Sequence, residues 1–128
     1  MKNLQLIARI IFSLPLIMFG AMHLMKSADM AAMMLTDWPM AEGLVIISGI
    51  ALLLGGIGII SGKLGKWAAF GVALLMLIFI ISLHMPNIMS DNEMLMRMGM
   101  SSMLKDSMVM GGALMIAWYF DQRESNNV

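Results

Sequence analysis

The chain has 128 residues, of which 60% are hydrophobic and only 12% are charged, and its formal net charge is zero. Soluble domains usually carry about 45–50% apolar and about 25% charged residues, and a soluble domain of this size has too little interior to hide so much apolar surface. Composition therefore excludes an ordinary soluble domain. No basic run marks a nucleic-acid surface, and the absence of cysteine excludes a disulfide relay, a thiolate nucleophile and a thiolate metal site.

The first apolar segment, about 4–25, has the roughly 20 residues that a transmembrane helix needs. Its start also suits a signal peptide, which has a short apolar core and a small-residue cleavage site. However, Arg9 interrupts the run early, and residues 19–21 (Phe-Gly-Ala) are a poor cleavage context. The pattern therefore predicts a retained helix.

The connection after this segment predicts a short amphipathic helix that lies in the membrane interface. Ser27 can cap this helix, and Met30, Met33 and Met34 fall on one face at spacings of three and four residues. The sequence over 36–39 (Thr-Asp-Trp-Pro) then ends the helix before the next apolar segment.

The second and third predicted spans cover about 43–62 and 67–84. The second is rich in leucine, isoleucine, valine and glycine and carries no charge. Residues 63–66 between them are too few for anything but a tight turn, so the two helices are predicted to be antiparallel neighbours.

The second long connection also predicts a short interfacial helix. Residues 90–93 (Ser-Asp-Asn-Glu) fit a capping box, and the helix over 94–98 is predicted to stop at Gly99. The fourth span follows over about 104–120, and its fully apolar stretch is the shortest because charged residues occupy its first turns.

Together these segments predict an all-α membrane protein, a single domain over 1–128 that forms a bundle of four transmembrane helices with short interfacial helices in the outer connections. Basic residues favour the cytoplasmic side of a membrane, and five lie on the side of the termini against three on the other. Both termini are therefore predicted to be cytoplasmic. Aromatic residues agree with an interfacial belt, with Trp67, Trp118 and Tyr119 at the inner boundary and Trp38 at the outer one.

Titratable side chains collect at the predicted outer end of the bundle, and every span contributes at least one. They are His23 at the end of the first span, Glu42 before the second, His84 at the end of the third, and Lys105 and Asp106 at the start of the fourth. Ionisable groups near hydrocarbon usually face the bundle interior or water, which favours a functional site. Helix ends are also where charges cost least, and Glu42 and Asp106 suit helix N-termini through the helix dipole alone. Both interpretations stay open.

Arg9 lies about two turns into the first span from the predicted inner side. A guanidinium at this depth can extend to the lipid headgroups, or it can bind an anionic partner within the bundle. The sequence leaves both interpretations open.

Methionine is unusually abundant, with 19 residues, six of them between Met22 and Met40 and nine between Met85 and Met110. The four alternate methionines over 94–100 resemble a Cu(I)-binding thioether cluster, because soft sulfur ligands select Cu(I). Methionine also serves as flexible apolar filler, and a spacing of two residues does not gather ligands on one face of a helix. No zinc-site spacing is present.

Short motifs follow one another in order along the four predicted spans. They are Arg9-Ile-Ile-Phe and Phe19-Gly20-Ala-Met-His23 in the first, Glu42-Gly43, Ser48-Gly49 and Leu52-Leu53-Leu54-Gly55 in the second, His84 closing the third, and Lys105-Asp106 before Gly111-Gly112-Ala113-Leu114 in the fourth. In order and spacing, over about residues 7–118, these motifs resemble the DoxX family of small four-helix bacterial membrane proteins. The methionine-rich connections depart from the usual family pattern.

The resemblance implies redox work in the bacterial inner membrane, because some relatives pass electrons from thiosulfate to quinone and others associate with superoxide dismutase and a sulfurtransferase. The leading hypothesis is a quinone-associated redox accessory. His84 is the candidate proton carrier, since imidazole both takes up and releases protons near neutral pH, and Glu42 is the candidate to orient or recharge it. His23, Lys105, Asp106 and Arg9 are candidate binding residues.

No internal electron carrier is evident, so catalysis would need a partner subunit or an added cofactor, and whether the protein is an enzyme stays open. One alternative is a non-enzymatic scaffold that holds a peripheral enzyme, another membrane subunit or a second copy of the chain. The other alternative is handling of Cu(I) or a small molecule on the outer side.

Overall fold

The computed structural model describes residues 1–33 and 38–127, and every regular element within these ranges is helical. The elements are α1 (Lys2–Met25), α2 (Ser27–Ala32), α3 (Ala41–Ser61), α4 (Gly65–Phe79), a π-helical segment (Ile80–His84), α5 (Met85–Ile88) and α6 (Glu93–Ser125). The π-helical segment and α5 continue α4 without a break. Met34 and residues 36 and 37, which the sequence assigns to the first interfacial helix and its end, lie outside the described residues.

Three helical stretches are long and apolar enough to cross a membrane, namely Asn3–Met25, Ala41–Ser61 and Gly65–Ile88. They agree with the first three predicted spans to within a few residues. Large apolar side chains such as Ile11, Ile47 and Leu74 are exposed on their outer faces. Such a surface is compatible with lipid rather than water. These helices therefore make the chain a multi-pass membrane protein, while a fourth crossing by α6 stays a prediction.

The start of α6 differs from the predicted capping box. Asn92, not Ser90, is the N-cap, and its Oδ1 accepts hydrogen bonds from the backbone N–H groups of Met94 (3.0 Å) and Leu95 (3.4 Å). The Ser90 hydroxyl instead accepts a bond from the Asn92 backbone N–H. Asparagine is among the best N-cap residues because its short side chain reaches these free donors.

The fourth long helix is continuous, so the prediction of separate helices over 94–98 and 104–120 is wrong. Gly99 does not end the first of them, because a glycine inside a helix costs only about 1 kcal/mol relative to alanine. A Cβ at Gly99 would lie 2.8 Å from Asn87 Cβ and 3.0 Å from the His84 carbonyl oxygen. The glycine therefore permits close packing of α6 against the end of the third span.

A short helix is present where the first connection predicts one, as α2, but Ser27 does not cap it. Ser27 is its first helical residue, and its hydroxyl donates a hydrogen bond to Glu42 Oε1 at 2.9 Å. The contact joins α2 to the start of α3.

Glycines bring α1 and α3 together as one closely packed pair. A Cβ at Gly49 would lie 2.7 Å from His23 Cβ and 3.0 Å from the Gly20 carbonyl oxygen. About two turns further along α3, a Cβ at Gly56 would lie 2.7 Å from Ile17 Cγ1. Small residues allow such backbone approach between membrane helices.

Alanines form a second closely packed pair, α4 with α6. Ala69, Ala73, Ala113 and Ala117 are all buried in the core. Phe120 of α6 fills the space beside Gly65 at the start of α4. The short turn over 62–64 joins this pair to the first, as predicted.

The two pairs meet near the chain termini. There the Tyr119 hydroxyl donates a hydrogen bond to Gln5 Oε1 at 2.7 Å, and the ring of Phe12 packs against Gly112. Toward the opposite end, a cavity lies between the pairs. We call the region of residues 1–9, 61–69 and 117–127 the termini end, and the region of residues 19–33, 38–48 and 78–109 the cavity end.

Candidate functional site

A π-helical segment positions His84. Pro86 lacks a backbone N–H, and its ring presses against the carbonyl four residues earlier, that of Ser82, so the regular α-helical pattern fails here. The Met85 N–H instead donates to the Ile80 carbonyl, five residues back. Such wide turns occur frequently at functional sites because they reorient the side chains around them.

His84 pairs with Asp106 of α6, which is 5% exposed. His84 Nε2 lies 2.7 Å from Asp106 Oδ2, and Lys105 Nζ lies 3.4 Å from Asp106 Oδ1. Because a carboxylate accepts but does not donate, the Nε2–H of the histidine is the donor. Burial of a carboxylate is costly unless it is paired, and both oxygens of Asp106 have a partner.

His23 lies across from this pair, on α1. Its Nδ1–H donates to the Phe19 carbonyl at 2.7 Å, so Nε2 is the ring nitrogen that takes no part in this hydrogen bond. The imidazole stacks on the Phe79 ring, with centroids 6.5 Å apart and planes within 7°. These contacts hold the ring in one orientation between the two helix pairs.

A cavity of about 790 Å³ separates the helix pairs at this end. Its walls are largely apolar, from Phe12 and Leu16 of α1 to Val109 of α6. The polar lining comprises the titratable residues His23, His84, Lys105 and Asp106, together with Ser48, Ser82 and Trp38. The two serine hydroxyls donate to carbonyls of their own helices, so the four titratable side chains and the Trp38 indole are the remaining polar groups of the lining. Apolar walls with a few convergent polar groups are typical of ligand sites.

Several residues that line the cavity are also exposed on the outside of the bundle. Phe19 and Met108 are exposed lining residues of α1 and α6, and Ile47 and Ile78 are exposed lining residues of α3 and α4. Lys105 Nζ lies 4.7 Å from the centre of the Phe19 ring, a cation–π contact. The cavity walls are therefore continuous with the apolar outer surface of the helices.

Two predicted site residues lie elsewhere. Glu42 is at the cavity end, but it is exposed, accepts from Ser27 and is not among the cavity-lining residues. Arg9 is at the termini end, where its Nη1 donates to the Ile59 carbonyl at 3.4 Å. The geometry therefore pairs His84 with Asp106 rather than with Glu42.

Phe19 and Phe79 are lining residues that the sequence patterns did not single out. The signal for Phe19 is its spacing of four residues from His23, which places both on one face of α1. Phe79 has no comparable signal, since it is one apolar residue among many in the third span.

The alternate methionines over 94–100 occupy the first turns of α6, and all four are exposed. Helical spacing places Met94 and Met98 on one face and Met96 and Met100 on another. Each face therefore offers two thioethers along this helix.

The DoxX family model matches residues 4–85, which extend from α1 to the first residue of α5. The match includes His23, Glu42 and His84 and ends before Lys105 and Asp106. No curated protein and no solved structure matches the chain. Since the matched region covers more than half of the chain and agrees with the three apolar membrane-spanning helices, this chain is a membrane protein that belongs to the DoxX family.

Proposed function

We propose that this DoxX protein binds the headgroup of a quinone in the cavity and serves as an accessory subunit in a membrane redox reaction. The observation that carries the proposal is the hydrogen-bonded His84–Asp106 pair, with 2.7 Å between Nε2 and Oδ2, in the wall of a largely apolar cavity.

The character of the cavity suits an amphiphilic ligand. A quinone has two carbonyl oxygens that accept hydrogen bonds and an apolar tail that keeps it in the bilayer. The apolar walls, and lining residues such as Ile47 and Met108 that are also exposed on the apolar outer surface, suit the tail. A volume of about 790 Å³ falls in the range of small-molecule sites, about 300–1,000 Å³.

The His84–Asp106 pair would move one of the protons in quinone chemistry. Reduction of a quinone to a quinol takes up two electrons and two protons. Asp106 accepts the hydrogen bond from His84 Nε2–H and so fixes the ring orientation and tautomer, as an aspartate does beside a catalytic histidine. Nδ1 is then the ring nitrogen that exchanges a proton with the ligand. Lys105, next to Asp106, would donate a hydrogen bond to the second carbonyl oxygen of the quinone.

The electrons would come from another subunit or from an added cofactor. The chain has no cysteine and therefore no thiol pair or thiolate-held cluster to carry them. This requirement makes the proposed role that of an accessory, which holds quinone and protons beside a redox partner.

The proposal includes four membrane crossings, with both termini in the cytoplasm of a bacterial inner-membrane protein. The close pairing of α6 with α4 and the exposure of Leu114, Met115 and Trp118 along its outer face support a fourth crossing. Reporter fusions after Lys63 and at the C-terminus should report the same side of the membrane. Opposite sides would contradict this topology.

Quinone titration monitored by Trp38 fluorescence tests the site, because Trp38 lines the cavity. Trp67 and Trp118 are replaced by phenylalanine, and the protein is placed in lipid nanodiscs with a short-tailed quinone as quencher. His84→Gln and Asp106→Asn should each raise Kd about tenfold or more, because a hydrogen bond to a charged group contributes about 1.5–3 kcal/mol and 1.4 kcal/mol is tenfold.

Glu42→Gln is the matched control, since Glu42 is titratable and lies at the same end but outside the cavity lining. It should leave Kd unchanged. Equal quenching in all variants, or none in the starting protein, would rule out the quinone site. Stoichiometric capture of a protein partner without quinone binding would instead favour the scaffold.

A further inference from the structure

The termini end has a cleft of its own, of about 460 Å³, between α1, the α3–α4 turn and the last turns of α6. Unlike the cavity, this cleft is mainly polar. Its lining includes Arg9, Gly62, Lys63, Phe120, Arg123 and Glu124.

Arg9 is held in the cleft, but its guanidinium has donors that are not used in hydrogen bonds to the protein. Its guanidinium carbon lies 5.5 Å from the centre of the Phe120 ring, and its Nη1 makes a long, 3.4 Å bond to the Ile59 carbonyl. The Nε atom is buried and has no hydrogen-bond partner among the residues that the structure describes. A single long bond leaves most of the five guanidinium donors unused, so capping of the end of α3 does not account for this side chain.

Gly62 provides the room for the guanidinium. Its φ of +74° is in the left-handed region that favours glycine, and a Cβ there would lie 2.7 Å from Arg9 Nη1. The backbone of the turn can therefore pack directly against Arg9, and the next residue, Lys63, adds a second cation to the cleft.

Charge in the cleft is predominantly positive. Arg9, Lys63 and Arg123 are cations, whereas the Glu124 carboxylate lies 3.4 Å from Lys66 Nζ and is partly neutralised by it. Lys66 also binds Asp121, at 2.5 Å, and so ties the start of α4 to the end of α6. These ion pairs help to hold this wall of the cleft together.

The position of the cleft along the bundle agrees with the depth at which lipid headgroups lie. Trp67 and Trp118, at the same end, are 69% and 59% exposed, and exposed tryptophans concentrate at the membrane–water boundary. We infer that this cleft binds a phosphate group, either that of an anionic phospholipid or free phosphate. Arginine suits the role because its planar fork matches phosphate oxygens in pairs.

Native mass spectrometry of the detergent-purified protein tests the inference with dioleoylphosphatidylglycerol and dioleoylphosphatidylcholine as probes. The protein should retain the phosphatidylglycerol in preference to the phosphatidylcholine. Lys63→Gln/Arg123→Gln should reduce that preference about thirtyfold, since each of the two basic residues near an anionic surface contributes about 1 kcal/mol and 1.4 kcal/mol is tenfold. Lys26→Gln/Arg97→Gln makes the same charge change at the cavity end and should leave the preference intact.

Arg9→Lys keeps the charge but loses the paired donors, so it should weaken retention while thermal stability stays close to that of the starting protein. Inorganic phosphate separates the two sources. If millimolar phosphate displaces the phosphatidylglycerol and also binds in the absence of lipid, the site takes free phosphate. If the phosphatidylglycerol resists displacement, the lipid headgroup is the ligand. No lipid preference together with no phosphate binding, or equal losses in the two double variants, would overturn the inference.

Discussion

The cavity end and the termini end are formed by the same four long helices, yet one is open and the other is closed. At the termini end, Gly65, Ala69 and Ala117 let α4 and α6 pack closely, Phe120 fills the space beside Gly65, and Tyr119 of α6 is hydrogen-bonded to Gln5 of α1. At the cavity end the residues that face each other across the pairs are larger, and Pro86 replaces a regular helical turn with a π-helical segment. Small residues thus bring helices together within each pair, because helix backbones approach only where side chains are small, while larger residues line the space between the pairs at the cavity end.

The two ends also treat charge differently. Asp106 at the cavity end is 5% exposed and held by His84, whereas the Asp121 side chain at the termini end is 46% exposed and held by Lys66. Exposed ion pairs contribute little because water screens them, but a buried charge that loses its partner is expensive. The carboxylate at the cavity end therefore depends on its partner, whereas the one at the termini end does not.

The largest predicted effect is on the α1–α3 pair, which must hold for the cavity to exist. Gly49→Leu should destabilise the protein by about 3 kcal/mol or more, because overpacking typically costs about 1–3 kcal/mol and here backbone atoms of α1 stand in the way. Thermal unfolding in detergent measures the loss. Gly71→Leu is the control, since nothing lies within 4 Å of a Cβ there. Equal losses would refute the close α1–α3 packing.

A smaller effect compares the two aspartates directly. Asp106→Ala should cost about 2–3 kcal/mol of stability, because hydrogen bonds to charged groups contribute about 1.5–3 kcal/mol. Asp121→Ala should cost less than about 1 kcal/mol, as exposed pairs do. Unfolding measurements on both variants check the difference, and an Asp121 effect as large as that of Asp106 would contradict the contrast between the two ends.

The smallest predicted effects have opposite signs at two glycines of α6. Gly111→Ala should stabilise the protein by up to about 1 kcal/mol, since alanine favours helix and nothing lies within 4 Å of a Cβ there. Gly99→Ala should destabilise it, because the new methyl group meets Asn87 and the His84 carbonyl. Stabilisation by both substitutions would mean that α6 does not pack closely on the end of the third span.

The apolar spans could be predicted from the sequence because length and hydropathy are local properties. The gathering of His23, His84, Lys105 and Asp106 at one end also followed, since helix ends of a short-looped bundle must alternate between its two ends. The continuity of α6 through Gly99 did not follow, because the contact that makes this glycine necessary lies on another element.

The partner of His84 was also beyond sequence reasoning. Glu42 and Asp106 are both acids at helix starts on the same side, and only packing decides which one reaches the histidine. The π-helical segment and the close α4–α6 packing direct His84 to Asp106, while Ser27 holds Glu42 beside α2. These are tertiary contacts, so the spacing of residues along the chain does not predict which acid pairs with His84.

Photolabelling with an azidoquinone tests the central claim most directly, because it reports where a quinone binds in the membrane-embedded protein. The account predicts label on peptides that line the cavity, over 11–23, 75–84 and 105–109, with competition by unlabelled quinone and a clear loss in His84→Gln. Label confined to the termini end, or unchanged by that substitution, would contradict it.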